Sequence, residues 1–570
     1  MERNAVVYST SVIPSCAAPA TRLCCVAMRG LMMDFPLTIP ALARRAQSFF
    51  RHKTVSSRRP DRSVTRISYA DVLERTRRLG AVLNALGVKP GERVATLAWA
   101  SHEHLEAYLA IPSIGAILHT LNLRLHHDDL AYIVNDAQDV ALVLDESLLP
   151  LFTQFRERVP SIRHVIVIRS TDAALPAYAL DYEAVLADAD PDACGEPLLD
   201  ENDAAAMCYT SGTTGRPKGV LYSHRAIVLH SLAQGLVDGL AIGERDVLLP
   251  IVPMFHVNAW GLPFTGVLFG CSQVFPGPYL DGASVLDLIV RERVTLTAGV
   301  PTVWLAMLQE LDRNPGGHDL SALRTIAIGG SAAPSSLIAA YEQRHGLRII
   351  HAWGMTELTP LGTVCTLPPE LEHAPFETQV AYRARQGKPL PLVEVRAMAD
   401  DKEVPWDGQT MGELETRGPW VAGRYYNVPE PDARFSPDGW FRTGDVVVIH
   451  PDGSLELTDR AKDLVKSGGE WISSVALENA LMSHPAVAEA AVIAVPHPKW
   501  DERPLAAVVL RKGSATTAAE LCAFLAPQFA KWWLPDRIAF VTEIPRTSVG
   551  KFLKSKLRDQ FKDAYQEDQS

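Results

Sequence analysis

Residues 209–219 read Tyr-Thr-Ser-Gly-Thr-Thr-Gly-Arg-Pro-Lys-Gly, after an apolar lead-in and before the strand-like Val220-Leu221-Tyr222. Four hydroxyls and one lysine set among three glycines offer donors for phosphate oxygens, and the glycines let the backbone approach a ligand. The spacing is not that of a Walker loop, because Arg216 and Pro217 separate Gly215 from Lys218. A P-loop NTPase is therefore disfavoured, and by composition alone the segment reads equally as a flexible surface loop.

The whole string resembles the signature loop of the adenylate-forming superfamily, which holds acyl-CoA synthetases, peptide-synthetase adenylation domains and luciferases. The resemblance runs from Phe35 into the C-terminal region. It implies that Thr210, Ser211, Gly212, Thr213, Thr214, Gly215 and Lys218 bind ATP. Further segments match in the family's order. Pro253-Met254-Phe255-His256-Val257-Asn258-Ala259-Trp260 resembles the segment beside the acyl pocket. His256, which alone would read as a structural histidine, is implied to act there. Trp260 stands where bacterial long-chain fatty acyl-CoA synthetases carry a gating tryptophan, whose rotation would couple nucleotide binding to acid entry.

Gly329-Gly330-Ser331-Ala332-Ala333-Pro334 looks like the adenine-side loop, with Gly330 against the base. His351-Ala352-Trp353-Gly354-Met355-Thr356-Glu357 matches the next motif, with tryptophan where tyrosine is common. His351, Trp353 and Gly354 are implied to contact the nucleotide, the indole stacking on adenine, and Thr356 to contact phosphate. Glu357 supplies the hard oxygen that Mg²⁺ prefers, so Thr210 and Glu357 are the expected metal ligands. Asp445, ending Trp440-Phe441-Arg442-Thr443-Gly444-Asp445, offers two carboxylate oxygens to a vicinal diol, the ribose.

Farther on, Arg460 matches a nucleotide-binding arginine and Lys462 the hinge position. Lys466, Gly468, Gly469 and Trp471 match a loop that the family turns against nucleotide or pantetheine. Lys551, in Pro545-Arg546-Thr547-Ser548-Val549-Gly550-Lys551, matches the lysine that bridges the reacting carboxylate and the α-phosphate. The implied catalytic set is Lys551, Thr210, Glu357 and His256. The implied activity is an ATP- and Mg²⁺-dependent fatty acid–CoA ligase acting through an acyl-adenylate, with coenzyme A as co-substrate. Leu262, Phe264 and Leu268 suit an alkyl chain. The alternatives are a short-chain thioether or aryl acid–CoA ligase on the same scaffold, and a nucleotide-binding sensor without turnover. The resemblance also implies a homodimer, and scattered cysteines fit the reducing cytoplasm.

The elements that must hold these residues alternate between strand and helix. Ser68-Tyr69-Ala70-Asp71 reads as an N-cap before the apolar-periodic Val72, Leu73, Leu79 and Leu83. Buried strands are expected at Val94–Ala98, Val140–Leu144, around Leu248-Leu249 and at 325–328, with a helix from Leu105 to Ile117. This is an α/β pattern with largely parallel sheets. Asp438-Gly439 and Asp452-Gly453 mark a β-rich lobe. The expected organisation is a leader or over-extended start over 1–33, with an organelle-targeting peptide as the other reading. A large multi-lobed domain of stacked sheets, helices and the β-rich lobe then covers 34–459. A small mobile α+β domain covers 460–570.

The length of 570 residues exceeds what one core organises. The net charge of -11 is spread through the chain, which excludes a nucleic-acid surface. No apolar run approaches the ~20 residues of a membrane-crossing helix.

Overall fold

The computed structural model describes residues 30–210, 216–429, 431–467, 470–546 and 552–565. Residues up to Phe35 form one unit and Pro36 onward another. The expected leader thus falls almost wholly outside the described residues, as do Ser211, Gly212, Thr213, Thr214, Gly215, Gly468, Gly469 and Lys551.

Among the described residues the strands gather into sheets of nine, seven, five and five. In the nine-stranded sheet, strands Val247–Pro250, Leu296–Gly299, Thr325–Ile328 and Ile349–Gly354 lie parallel and adjacent. The seven-stranded sheet is parallel from Ala179–Asp181 across to Ala204–Tyr209 and closes on an antiparallel edge strand, Gly219–Ser223. Strands such as Ile117–Thr120 are buried on both faces, which is why they read as continuous apolar runs. A five-stranded antiparallel sheet makes the β-rich lobe and ends with Phe441–Ile449 and Leu455–Arg460. The last sheet begins at Val465–Ser467 and belongs to the C-terminal lobe.

The cap at Ser68 forms as the sequence dictates. Asp71 N–H donates to Ser68 Oγ at 3.2 Å, Ser68 N–H donates to the Asp71 carboxylate at 3.0 Å, and helix Tyr69–Ala85 follows. The helix expected at Leu105–Ile117 instead spans His102–Ser113, because Gly115 at φ +79° turns the chain into strand Ile117–Thr120. The apolar run crosses that boundary without a break, so periodicity alone could not place it.

Candidate active site

Where the two large sheets meet the β-rich and C-terminal lobes, a cavity of about 930 Å³ collects most of the expected site residues. Strands Ala204–Tyr209 and Gly219–Ser223 bring the two described ends of the hydroxyl-rich loop, Thr210 and Lys218, to its lining. The neck of that loop is closed by two bonds. Thr210 N–H donates to the Lys218 carbonyl at 2.9 Å, and Lys218 N–H donates to Thr210 Oγ1 at 3.1 Å. The Lys218 ammonium lies 2.8 Å from the Asp432 carboxylate and 4.4 Å from the Tyr425 ring centroid, so it is aimed before any phosphate arrives.

The end of strand Ile349–Gly354 carries His351, Trp353 and Gly354 into the cavity. Burial holds the His351 imidazole down to about 4, so it is neutral at physiological pH, and its Nδ1–H donates to the Ala384 carbonyl at 2.9 Å. Trp353 is buried, and its indole N–H donates to Asp445 Oδ2 at 2.7 Å. This bond ties the nine-stranded sheet to the β-rich lobe. Asp445 Oδ1 sits 2.6 Å from Arg460 Nε, yet it lacks an aligned hydrogen bond although it is buried. An acceptor held this way is suited to a hydroxyl pair. Trp353→Phe keeps an aromatic ring, a smaller one, and removes the donor. It is expected to raise the KM for ATP about 10-fold, the worth of one hydrogen bond to a charged group, with kcat less affected in steady-state assays.

Glu357 follows in a short turn, Thr356–Leu358, and is 5% exposed. Its Oε1 accepts from Tyr425 Oη–H at 2.5 Å, and the Thr356 carbonyl accepts from Tyr222 Oη–H at 2.7 Å. Glu357 and the Thr210 hydroxyl line the same cavity. One oriented carboxylate and one hydroxyl form the small, hard-oxygen donor set that Mg²⁺ takes when phosphates and waters complete its shell, so the residues fit the ion.

His256 and Trp260 line the cavity, and between them the backbone does something the sequence did not announce. Val257, Asn258, Ala259 and Trp260 have φ of 47, 51, 51 and 56°, and Gly261 follows at 74°. This is one turn of left-handed helix, at a cost of roughly 1–2 kcal/mol for each residue bearing a Cβ. Buried side chains hold it there. Gln234 Nε2 donates to the Trp260 carbonyl at 2.8 Å, and Thr265 Oγ1–H donates to Gln234 Oε1 at 2.5 Å. The turn lays the indole against Gly329, where a Cβ would stand 3.0 Å from Trp260 Cη2. A right-handed helix begins only at Leu262 and ends at Phe269.

That register corrects the apolar set. Leu262 lines the cavity, but Phe264 packs on Tyr108 with ring centroids 5.3 Å apart, and Leu268 offers its carbonyl to Arg45 on the outer side. Positions two and six residues along a helix point well away from the first. The apolar wall is completed by Leu240, Leu305, Ala327, Ala352 and Leu361.

Gly330, Thr356, Arg460 and Lys462 also line the cavity. Lys466 and Trp471 do not. They sit on the paired strands Val465–Ser467 and Glu470–Ile472, with the ammonium 5.5 Å from the ring centroid. Arg546 and Phe552, which flank the segment of Lys551, are bridged to each other and line the cavity. Asp432, Tyr425 and Tyr222 escaped the sequence reading, since no motif signal links Lys218 to a partner 214 residues away or Glu357 to one 68 away.

Most of the chain is similar to known proteins. The profile of the AMP-binding enzyme family matches residues 42–426, and that of the AMP-binding enzyme C-terminal domain matches 476–551. A long-chain-fatty-acid–CoA ligase of Thermus thermophilus is 50% identical over 95% of this chain and 98% of its own. A 3-methylmercaptopropionyl-CoA ligase of Ruegeria pomeroyi is 44% identical over 94% of this chain and 99% of its own. The crystal structure of an anthranilate CoA ligase with anthranoyl-AMP superposes with a TM-score of 0.82 at 27% identity, covering 93% of this chain and 99% of the other. Both profiles fall in the expected order along the chain, which belongs to the AMP-binding enzyme family of the adenylate-forming superfamily and is similar to its fatty acyl-CoA synthetases.

Proposed function

We propose that this chain joins a medium- or long-chain fatty acid to coenzyme A at the expense of ATP, releasing AMP and pyrophosphate. The observation that carries the reading is one cavity with two characters. Thr210, Lys218, Glu357 and Asp445 make its polar wall, and Leu240, Leu262, Leu305 and Leu361 its apolar wall, with Trp260 also on its lining. A carboxylate with an alkyl tail matches that division.

In the first step a carboxylate oxygen attacks the α-phosphorus and the bond to the β,γ-diphosphate breaks, leaving an acyl-adenylate and pyrophosphate. Two anions must meet, and the barrier is their repulsion. The neck at Thr210 and the tethered Lys218 hold the phosphates, Asp445 takes the ribose hydroxyls, and Trp353 keeps that carboxylate in place. Lys551 brings its ammonium between carboxylate and α-phosphate. Mg²⁺, held by Glu357 and Thr210, neutralises phosphate charge when bound. His256 shapes the entrance to the apolar wall. In the second step the thiol of coenzyme A attacks the acyl carbon, its proton leaves, and AMP departs. Rotation of the C-terminal lobe about Lys462 brings Gly468, Gly469 and Trp471 to the thiol's path. A homodimer in the cytoplasm completes the proposal. Among the described residues no helix is long and apolar enough to cross a membrane.

The Ruegeria relative supports a second reading, a short thioether acid as substrate. Both are tested by AMP release with coenzyme A across octanoate, palmitate, 3-methylthiopropionate and benzoate. A maximum at eight carbons or more supports the proposal, and a maximum at methylthiopropionate supports the second reading. Release of ADP and orthophosphate with every acid would sink both.

A further inference from the structure

Strand Leu455–Arg460 belongs to the β-rich lobe and strand Val465–Ser467 to the C-terminal sheet, so residues 461–464 alone connect them. Close bonds nevertheless cross this connector. Ser473 Oγ–H donates to the Thr458 carbonyl at 2.5 Å, and Ser474 N–H donates to Asp459 Oδ2 at 2.6 Å. Asp459 is 1% exposed, and its carboxylate stands at the N-terminus of helix Ser474–Ser483, where the helix dipole favours a negative charge. The Lys554 ammonium lies 2.6 Å from both Ser474 Oγ and Glu478 Oε1, so it braces the turn whose amide meets Asp459. From the same helix, Lys554–Phe561, Arg558 pairs with Asp463 at 2.7 Å. One helix thus braces Ser474, which meets Asp459 before Lys462, and pairs with Asp463 after it.

We propose that Asp459 and Lys554, the first by receiving the Ser474 amide and the second by bracing Ser474 from within the C-terminal lobe, form a clasp across the connector that holds the C-terminal lobe in the orientation seen here, the one that serves acyl-adenylate formation. The orientation is assigned from Arg546 and Phe552, which flank the segment of Lys551 and line the nucleotide cavity. The inference rests on the two-step reading above. Both residues act as positioning residues, because neither needs to touch a reacting atom. Turning the lobe about Lys462 must separate Ser474 from Asp459 and strip a buried carboxylate of one of its two backbone donors, the other being Arg460 N–H, a penalty that weights the population toward the clasped orientation.

The test uses the full chain with Lys554→Met, Asp459→Asn, the pair together, and Lys554→Arg. In each single variant, acid-dependent pyrophosphate exchange should fall about 10-fold, the scale of one lost charge-assisted bond, while thioester formation from supplied acyl-adenylate holds or quickens. The double variant should be no worse than the singles, since one clasp is broken once, and Lys554→Arg should restore exchange. Equal loss in both half-reactions, or losses that add in the double variant, would overturn the clasp. Hydrogen exchange of the Ser474 amide in the substrate-free protein gives a separate readout. It should accelerate in Lys554→Met and Asp459→Asn and stay slow in Lys554→Arg. If the unaltered chain makes no AMP from any fatty acid, the proposed function fails, and the Ser474 amide still decides the clasp: unchanged exchange in the variants overturns it.

Discussion

Lys551→Ala is expected to slow acyl-adenylate formation about 10²–10³-fold, the scale of losing one preorganised electrostatic group, and to spare thioester formation from supplied acyl-adenylate. Single-turnover measurement of each half-reaction checks this. The asymmetry follows from where charge accumulates. In the first step a carboxylate closes on a phosphate, and a cation between them lowers the barrier directly. In the second step the adenylate is already formed and the nucleophile is a thiol, so an ammonium at the α-phosphate has less to offset. Parallel loss in the two steps would assign Lys551 to nucleotide binding.

Glu357→Gln has the next largest expected effect. It keeps the shape of the side chain and an acceptor for Tyr425, whose hydroxyl lies 2.5 Å from Oε1, but removes the charge that a divalent ion needs. Pyrophosphate exchange at saturating Mg²⁺ should fall about 10²-fold, matching the several kcal/mol that a metal contributes to charge stabilisation. The Mg²⁺ concentration for half-maximal rate should rise at least about 10-fold, since one carboxylate is the only anionic protein ligand in the proposed set. A lost rate with unchanged Mg²⁺ dependence would leave Glu357 a role in packing Tyr425 and would remove it from the metal site.

Much of the architecture could be read from the residues, because apolar runs such as Val94–Leu97 have one physical destination, a strand covered on both faces. The Ser68 cap was legible for a similar reason, since its bonds join residues three apart. The site was legible as a set of motifs but not as a set of contacts. The bonds that aim it join Lys218 to Asp432, Glu357 to Tyr425 and Trp353 to Asp445, across 214, 68 and 92 residues. Tertiary packing creates such pairs, and no local preference signals them. The turn at 257–261 was hidden for the opposite reason. Valine, alanine and tryptophan disfavour left-handed torsions, so local preference pointed the wrong way and buried Gln234 decided the outcome.

That reversal of hand constrains the gating that the family resemblance implies for Trp260. Between left- and right-handed torsions lies a sterically closed region near φ of zero, and a β-branched residue such as Val257 crosses it least easily. The segment cannot drift through intermediate shapes as an ordinary flap does. A gating indole at this position would therefore swivel on its own side-chain torsions above a static main chain, like a door on a fixed post. Superposed open and closed forms should then differ at the ring of Trp260 and coincide at the α-carbons beneath it.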